Sequence, residues 1–274
     1  MPARHAVRRG VFPNGMEFLS WGDGPRQLLF IPGGPGSGLP LGLTGRMNRR
    51  WFDRFVQAGY TIWYVTRRRG MPRSATVADM ADDYADAIAE QLDGRVELVV
   101  GESYGGMIVQ YLAARHGESV GQVAIVVAAA EVSAWGKEVD TRLAAAVERG
   151  DAAAAGSAFA EYLIPSERAR WVRRLLGPWI GRGLLSGKSY PASDILVETE
   201  AELAFDARPV LRDIAVPVVL VCGDRDLFFP PDIVGETARL IPDCTKVTYA
   251  GQGHVKVATS SRVPRDVLEF VDRR

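Results

Sequence analysis

Short apolar runs alternating with helix-length segments are the feature that most constrains this chain. "QLLFIP", "YTIWYV", "VELVV" and "VGQVAIVVAA" are continuous or β-branched apolar runs, of the kind found in strands buried on both faces of a sheet. Between them the apolar spacing turns helical. Met47, Trp51, Phe55 and Ala58 precede Gly59, and Met80, Tyr84 and Ile88 form one stripe that ends before Gly94. Glycine just past the last periodic residue is a helix stop signal. Parallel strands need crossover connections, so strand–helix–strand repetition predicts a mostly parallel sheet with helices on both faces. Near the start, "VFPNGMEFLSWG" places Asn14 and Gly15 between two apolar stretches, which predicts a hairpin.

The alternation lapses over residues 131–204, which are Ala- and Arg-rich and helical in pattern with no convincing strand. It resumes past Phe205 with "VPVVLVC", "PDIVGETARLI", "TKVTYA" and "SSRVPRDVLEFVDRR". The simplest organisation is one α/β core made of 1–130 and 205–274, interrupted by a helical insertion over 131–204. A chain of 274 residues is long enough for such a core to bury most of its apolar surface without disulfides or metal. Cys222 and Cys244 are therefore expected to be free thiols.

Acidic and basic side chains balance at 33 each, so overall charge points to neither nucleic acid nor a membrane as partner. No run reaches the ~18 apolar residues of a membrane span. "MPARHAVRRGVFPNG" has basic residues but no apolar stretch of the signal-peptide kind. These readings lead to an expected cytoplasmic protein acting on a small molecule; they leave the oligomeric state open.

Chemistry concentrates in "LVVGESYGGMIVQ", residues 98–110, where an apolar run ends at Gly101 and a helix begins past Ser103. A sharp turn at the C-terminal end of a parallel strand lifts its side chain into the crevice where ligands bind. Close approach of strand and helix would leave no room for side chains at Gly101 and Gly105. Ser103 is thus the candidate nucleophile, and it needs a base. Of three histidines, His5 lies in the N-terminal tail, and His116 ends the helix after Ser103, where it is expected to cap the last carbonyls. That leaves His254, in the Gly-flanked loop "YAGQGHVKV". A carboxylate must hold the imidazole's tautomer and balance its charge. "VCGDRDLFFPP" offers Asp224 and Asp226 just past a strand, with Asp226 preferred as the orienting acid and Asp224 as a loop or helix-capping carboxylate. The chain order Ser103, Asp226, His254 differs from those of chymotrypsin and subtilisin.

On these motifs the sequence resembles the α/β-hydrolase fold superfamily, in its cap-bearing branch of single-chain serine hydrolases. "GDRDLFFP" is similar to the family's G-x-x-D-x-x-x-P acid turn through Gly223, Asp226 and Pro230, and "PGGPG" at 32–36 to its HGGPG loop. The resemblance implies an α/β-hydrolase fold with 131–204 as a helical cap, and catalysis by Ser103, His254 and Asp226. It further implies an oxyanion hole formed by the backbone N–H groups of Gly34 and Tyr104. It implies no cofactor and no metal; no G-K-[ST] follows the glycines of 33–38, so they do not read as a phosphate loop.

Two departures stand out. Pro32 replaces the usual His of the loop. "TRRRGMPRS" is similar to the family's D-x-R-G-x-G-x-S but has Arg67 for the Asp and Pro72 for the second Gly. Arg67, Arg68 and Arg69 are expected to form a positive patch near the lower sheet edges, solvated or structural, or else suited to an acidic substrate. Glu102, beside the nucleophile, is assigned no role. In the insertion, Trp135, Trp171, Trp179, Tyr162 and Tyr190 are expected either to close an apolar pocket over Ser103 or to fasten the cap to the core.

The expected activity is cofactor-independent hydrolysis of an ester or related acyl bond of a small, partly apolar substrate. An aminopeptidase of the proline iminopeptidase type is the alternative, since "GGPG" and "ESYGG" resemble those enzymes. Glu198, Glu200 and Glu202 could then bind a substrate ammonium, unless they form a solvated helix face. Carbon–carbon bond hydrolysis by the same triad and a non-catalytic ligand receptor are further alternatives.

Overall fold

In a computed structural model, which describes residues 6–187 and 190–274, the apolar runs assemble into one eight-stranded sheet. His5 lies outside the described residues. Strands β1 (Arg8–Val11), β2 (Glu17–Trp21) and β3 (Arg26–Ile31) lead to helices α1 (Gly42–Trp51) and α2 (Asp53–Gln57). Then β4 (Tyr60–Val65), α3 (Val77–Gln91), β5 (Val96–Glu102), α4 (Tyr104–Arg115) and β6 (Val120–Val126) alternate as expected. Helices α5 (Ala134–Glu148), α6 (Ala152–Leu163), α7 (Arg170–Leu185) and α8 (Ala192–Leu203) intervene before β7 (Val218–Gly223). The chain closes with α9 (Pro231–Leu240), β8 (Cys244–Tyr249), α10 (His254–Ala258) and α11 (Arg262–Val271).

The strand order is β1-β2-β4-β3-β5-β6-β7-β8. The β1–β2 and β2–β4 pairs are antiparallel and every later pair is parallel. Central strands are buried on both faces, which is why they read as unbroken apolar runs. Leu28, Val99, Val100 and Val123 are buried in the sheet's middle. One apolar cluster joins the sheet to α3 and α4 through Met80, Tyr84, Ile108 and Leu112. A second, on the opposite face, joins it to α2 and α11 through Phe55, Val267 and Phe270. The single predicted helix before Gly59 is two, α1 and α2, with Phe52 as their shared residue and Gly59 at φ 81° after them.

Alternation also dictates where function sits. Parallel strands send all their C-terminal ends to one edge, and the segments that follow β3, β5, β7 and β8 carry Gly34, Ser103, Asp226 and His254. Both cysteines are free. No helix among the described residues is long and apolar enough to cross a membrane.

Candidate active site

Ser103 occupies a turn that its own backbone strains. Its φ of 52° and ψ of −116° lie where a residue with a Cβ is disfavoured, and such strain persists only when the surroundings over-determine it. They do so here through two close approaches. A Cβ on Gly101 would stand 2.4 Å from the Gly105 carbonyl oxygen, and one on Gly105 would stand 2.0 Å from that of Ile31. Helix α4 therefore starts against the ends of β5 and β3, and Ser103 projects from the turn between them. Its N–H is tied to the carbonyl of Val126 at 2.8 Å.

The sequence-selected residues converge on this point. His254 Nε2 lies 3.0 Å from Ser103 Oγ, and His254 Nδ1 lies 2.8 Å from Asp226 Oδ2. Asp226 is buried, and its second oxygen accepts the N–H groups of Phe228 at 2.9 Å and Phe229 at 3.2 Å. Those two bonds leave Oδ2 free to face the imidazole, and the Phe228 and Phe229 rings flank His254 at 5.2 and 5.9 Å. His254 is the first residue of α10 rather than a loop residue. Asp224 accepts from the Gly251 N–H at 2.7 Å, so the two carboxylates of the turn divide between a loop bond and the histidine.

Beside the serine runs the loop 32–38. A Cβ on Gly33 would sit 3.2 Å from Ser103 Cβ, and Gly34 has a φ of 145°. Among the described residues neither the Gly34 N–H nor the Tyr104 N–H has a hydrogen-bond acceptor. Free donors beside a hydroxyl are what a developing oxyanion requires.

Three sequence expectations are corrected. Arg67 is not at the lower sheet edge and not solvated; it follows β4 at the upper, C-terminal edge and is buried, in the structural role that is the other half of the expectation. Its guanidinium donates to the Pro32 carbonyl at 2.8 Å and the Gly33 carbonyl at 3.2 Å, and stacks over the Tyr104 ring at 4.5 Å. Its charge is met by Glu198 of α8, with Nε 2.8 Å from Oε1 and Nη2 2.9 Å from Oε2. Arg68 and Arg69 are only partly exposed and pair with Asp83 and Glu17 at 3.3 and 2.7 Å. The second correction follows from the first. Glu198 and Glu202 are buried rather than solvated, while Glu200 is exposed and lies 3.8 Å from Arg73. Glu198 also accepts the Gly36 N–H, and its own carbonyl accepts the Tyr104 hydroxyl at 2.9 Å. Third, His116 turns away from the helix carbonyls and meets Asp82 of α3 at 2.7 Å, because an ionisable partner one helix away outcompetes carbonyls that water can satisfy.

A cavity of about 370 Å³ opens onto Ser103 and His254. Phe159, Tyr162 and Leu163 of α6 and Phe228 supply its apolar wall. Two carboxyls line it as well. Glu102 is pushed up to about 7 by enclosure, against the opposing pull of His254. Glu202 is raised well above the usual carboxylate range by burial and by Asp140. Asp140 is likewise pushed up to about 7 by burial, although the Tyr162 hydroxyl donates to it at 2.5 Å. Glu202 Oε2 and Asp140 Oδ2 find no hydrogen-bond partner among the described residues. Glu198, Glu200 and Glu202 alternate along one helix, and their spacing alone does not tell which of them meets a cation.

Of the five aromatics singled out in the insertion, Tyr162 lines the cavity and Trp135 packs edge-on against Phe228 at 4.9 Å. Tyr190 lies against the loop, where a Cβ on Gly36 would collide with its ring at 2.5 Å. Trp171 and Trp179 neither close the cavity nor fasten α7; both are exposed.

The α/β-hydrolase fold family model matches residues 27–258, and the chain belongs to that family of enzymes. It is similar to a protein from Yersinia enterocolitica provisionally named carbamate hydrolase RutD, with 26% identity over 247 residues and 84% of each chain covered. Among solved structures it is similar to the enol-lactonase from Burkholderia xenovorans LB400, with a TM-score of 0.69, 20% identity, and 94% of this chain and 96% of that one covered. It is also similar to an esterase from Exiguobacterium antarcticum, with a TM-score of 0.73, 17% identity, and 96% and 99% covered. At these identities the two structural likenesses speak to the fold.

Proposed function

We propose that the protein is a serine hydrolase that cleaves an ester or related acyl bond of a small, partly apolar molecule. The observation that carries this is the unbroken relay from Asp226 through His254 to Ser103, at 2.8 and 3.0 Å. In this reading His254 Nε2 takes the proton of Ser103 as Oγ attacks the carbonyl carbon. Asp226 holds the tautomer with Nε2 facing the serine and stabilises the imidazolium. The Gly34 and Tyr104 N–H groups receive the charge that develops on the carbonyl oxygen. His254 then returns the proton to the leaving group, and water, activated by the same histidine, releases the acyl group from Ser103.

Helices α5–α8 act here as a cap, since α6 supplies Phe159, Tyr162 and Leu163 to the cavity wall. An apolar wall with few polar groups suits an uncharged acyl or alcohol portion. The test is turnover of short-chain p-nitrophenyl esters together with fluorophosphonate labelling. Both are expected in the wild type and absent in a folded Ser103→Ala variant; turnover retained by that variant would sink the proposal.

One observation favours a second reading, in which the substrate carries an ammonium group. Glu202 Oε2 is buried and unpartnered at the cavity wall, whereas Glu198 is already matched by Arg67 and Glu200 faces outward. A cation entering the cavity would complete Glu202. Aminoacyl naphthylamides compared with simple acyl esters separate the readings. Preference for the aminoacyl compounds that is lost in Glu202→Gln favours the second, and equal preference in both forms excludes it.

A further inference from the structure

Helix α7 turns an unpartnered apolar face outward. Trp171, Leu175 and Trp179, spaced by four, are 68%, 66% and 74% exposed. In a helix this spacing places the three side chains on one stripe. The opposite face is held to α6 by direct backbone approach. A Cβ on Gly181 would stand 1.6 Å from the Ala152 carbonyl oxygen, and one on Gly156 would stand 1.9 Å from that of Gly177. With glycines setting the contact, α7 cannot roll to bury its tryptophans without separating the two helices.

The charge around the stripe is one-sided. Although the chain as a whole is balanced, residues 168–193 contain six basic side chains and no acidic one. Arg173 is buried and paired with Glu161 and Glu167 at 3.6 and 3.0 Å. Arg170, Arg174 and Arg182 are exposed and make no ion pair among the described residues, although Glu167 lies within electrostatic reach of Arg170. Arg182 reaches over the Trp179 ring at 5.7 Å.

We infer that the α7 face docks on the surface of an anionic phospholipid bilayer. Indole rings have an apolar body and a polar N–H, and they settle at the headgroup boundary. Arginines beside them meet lipid phosphates. A second copy of the chain fits less well, because a twofold pairing of this face would set the unpaired arginines of one copy against those of the other. The helix next to α7, α6, lines the Ser103 cavity, so docking in this manner would bring a lipophilic substrate's source close to the cavity. The docking itself does not depend on the hydrolase reading.

The test is co-sedimentation of the full chain with phosphatidylcholine vesicles with and without phosphatidylglycerol, at low and high salt. Binding is expected only to the phosphatidylglycerol vesicles, and is expected to weaken with salt. R170Q/R174Q/R182Q should lower partitioning on the order of a hundredfold, at about fivefold per arginine. W171A/W179A should lower it at least about tenfold. All five positions are exposed, so an unchanged Tm is the control for folding. Equal binding to both vesicle types, no binding to either, or unchanged binding in both variants would overturn the inference. So would a solution dimer that W171A/W179A splits, since that would assign the face to a second copy.

Discussion

Arg67 and Glu198, 131 residues apart in sequence, pair with side chains almost fully shielded from solvent, and through that pair a helix of the 131–204 segment grips the loop beside Ser103. Each partner also reaches the loop directly: Arg67 binds the carbonyls of Pro32 and Gly33, and Glu198 accepts the N–H of Gly36. The Gly34 N–H is thus carried on a loop clamped from both sides.

Breaking the pair from one side should cost more than removing it whole. Arg67→Met or Glu198→Met leaves one buried charge uncompensated, at an expected cost of about 3–5 kcal/mol. The double variant should be less destabilised than the sum of the singles by at least about 1 kcal/mol. Urea unfolding of the four proteins measures the coupling. In any folded single variant kcat should fall about a hundredfold with little change in KM, as expected when an oxyanion donor is misplaced.

Ser103→Gly should be inactive and more stable. Its backbone at φ 52° is strained for a residue with a Cβ, and glycine relieves strain of about 1–3 kcal/mol, offset in part by its greater freedom when unfolded. A rise in Tm together with loss of fluorophosphonate labelling is the expected result. A fall in Tm would show that the turn is not strained.

Gly105→Ala tests the contact that forces that turn. The new Cβ would lie 2.0 Å from a main-chain oxygen of β3, and main chain in a central strand cannot yield cheaply. A loss of about 3 kcal/mol or more in stability is expected, visible as a lower urea midpoint. Gly94→Ala, whose Cβ meets nothing within 4 Å but whose φ is 78°, should cost only about 1 kcal/mol.

The carboxyls of Asp140 and Glu202 set a pH dependence. Both are raised, chiefly by burial, with Asp140 reaching about 7 and with Arg67 opposing and Glu198 adding to the shift of Glu202. The folded state therefore holds protons that the unfolded state releases near pH 4. Stability from these groups is complete below the unfolded value and is lost as pH rises from about 4 through 7 and beyond. Glu202→Gln should remove part of that slope. Relative to wild type it should gain at least about 1 kcal/mol, the worth of one pKa unit, between pH 5 and pH 8. Tm measured against pH for both proteins checks this.

The outline of the fold was legible in the residues because its causes are local. Buried parallel strands must be apolar throughout, helices must repeat near 3.6, and a strand that meets a helix at van der Waals distance must place glycine at Gly101 and Gly105. The same locality made Ser103, Asp226, His254 and Gly34 readable, since each follows closely on the end of a strand, and parallel strands deliver those ends to one edge. The role of His116 was not legible in this way because its partner, Asp82, lies on another helix.

By itself, then, the sequence determined the alternating architecture, the hydrolase family and the residues gathered at the sheet's C-terminal edge. Only the tertiary structure decided what each charge and each aromatic of the 131–204 segment would do. Helical spacing says which residues share a face, but not which face meets the core. Glu198 and Glu202 occupy one turn of α8, yet one is neutralised by Arg67 and the other is left facing the cavity. Trp135 is packed against Phe228 while Trp171 and Trp179 stand in solvent. Those outcomes depend on the distance and burial of groups far apart in the chain, and both are set only by how helices α5–α8 pack against one another and against the rest of the fold.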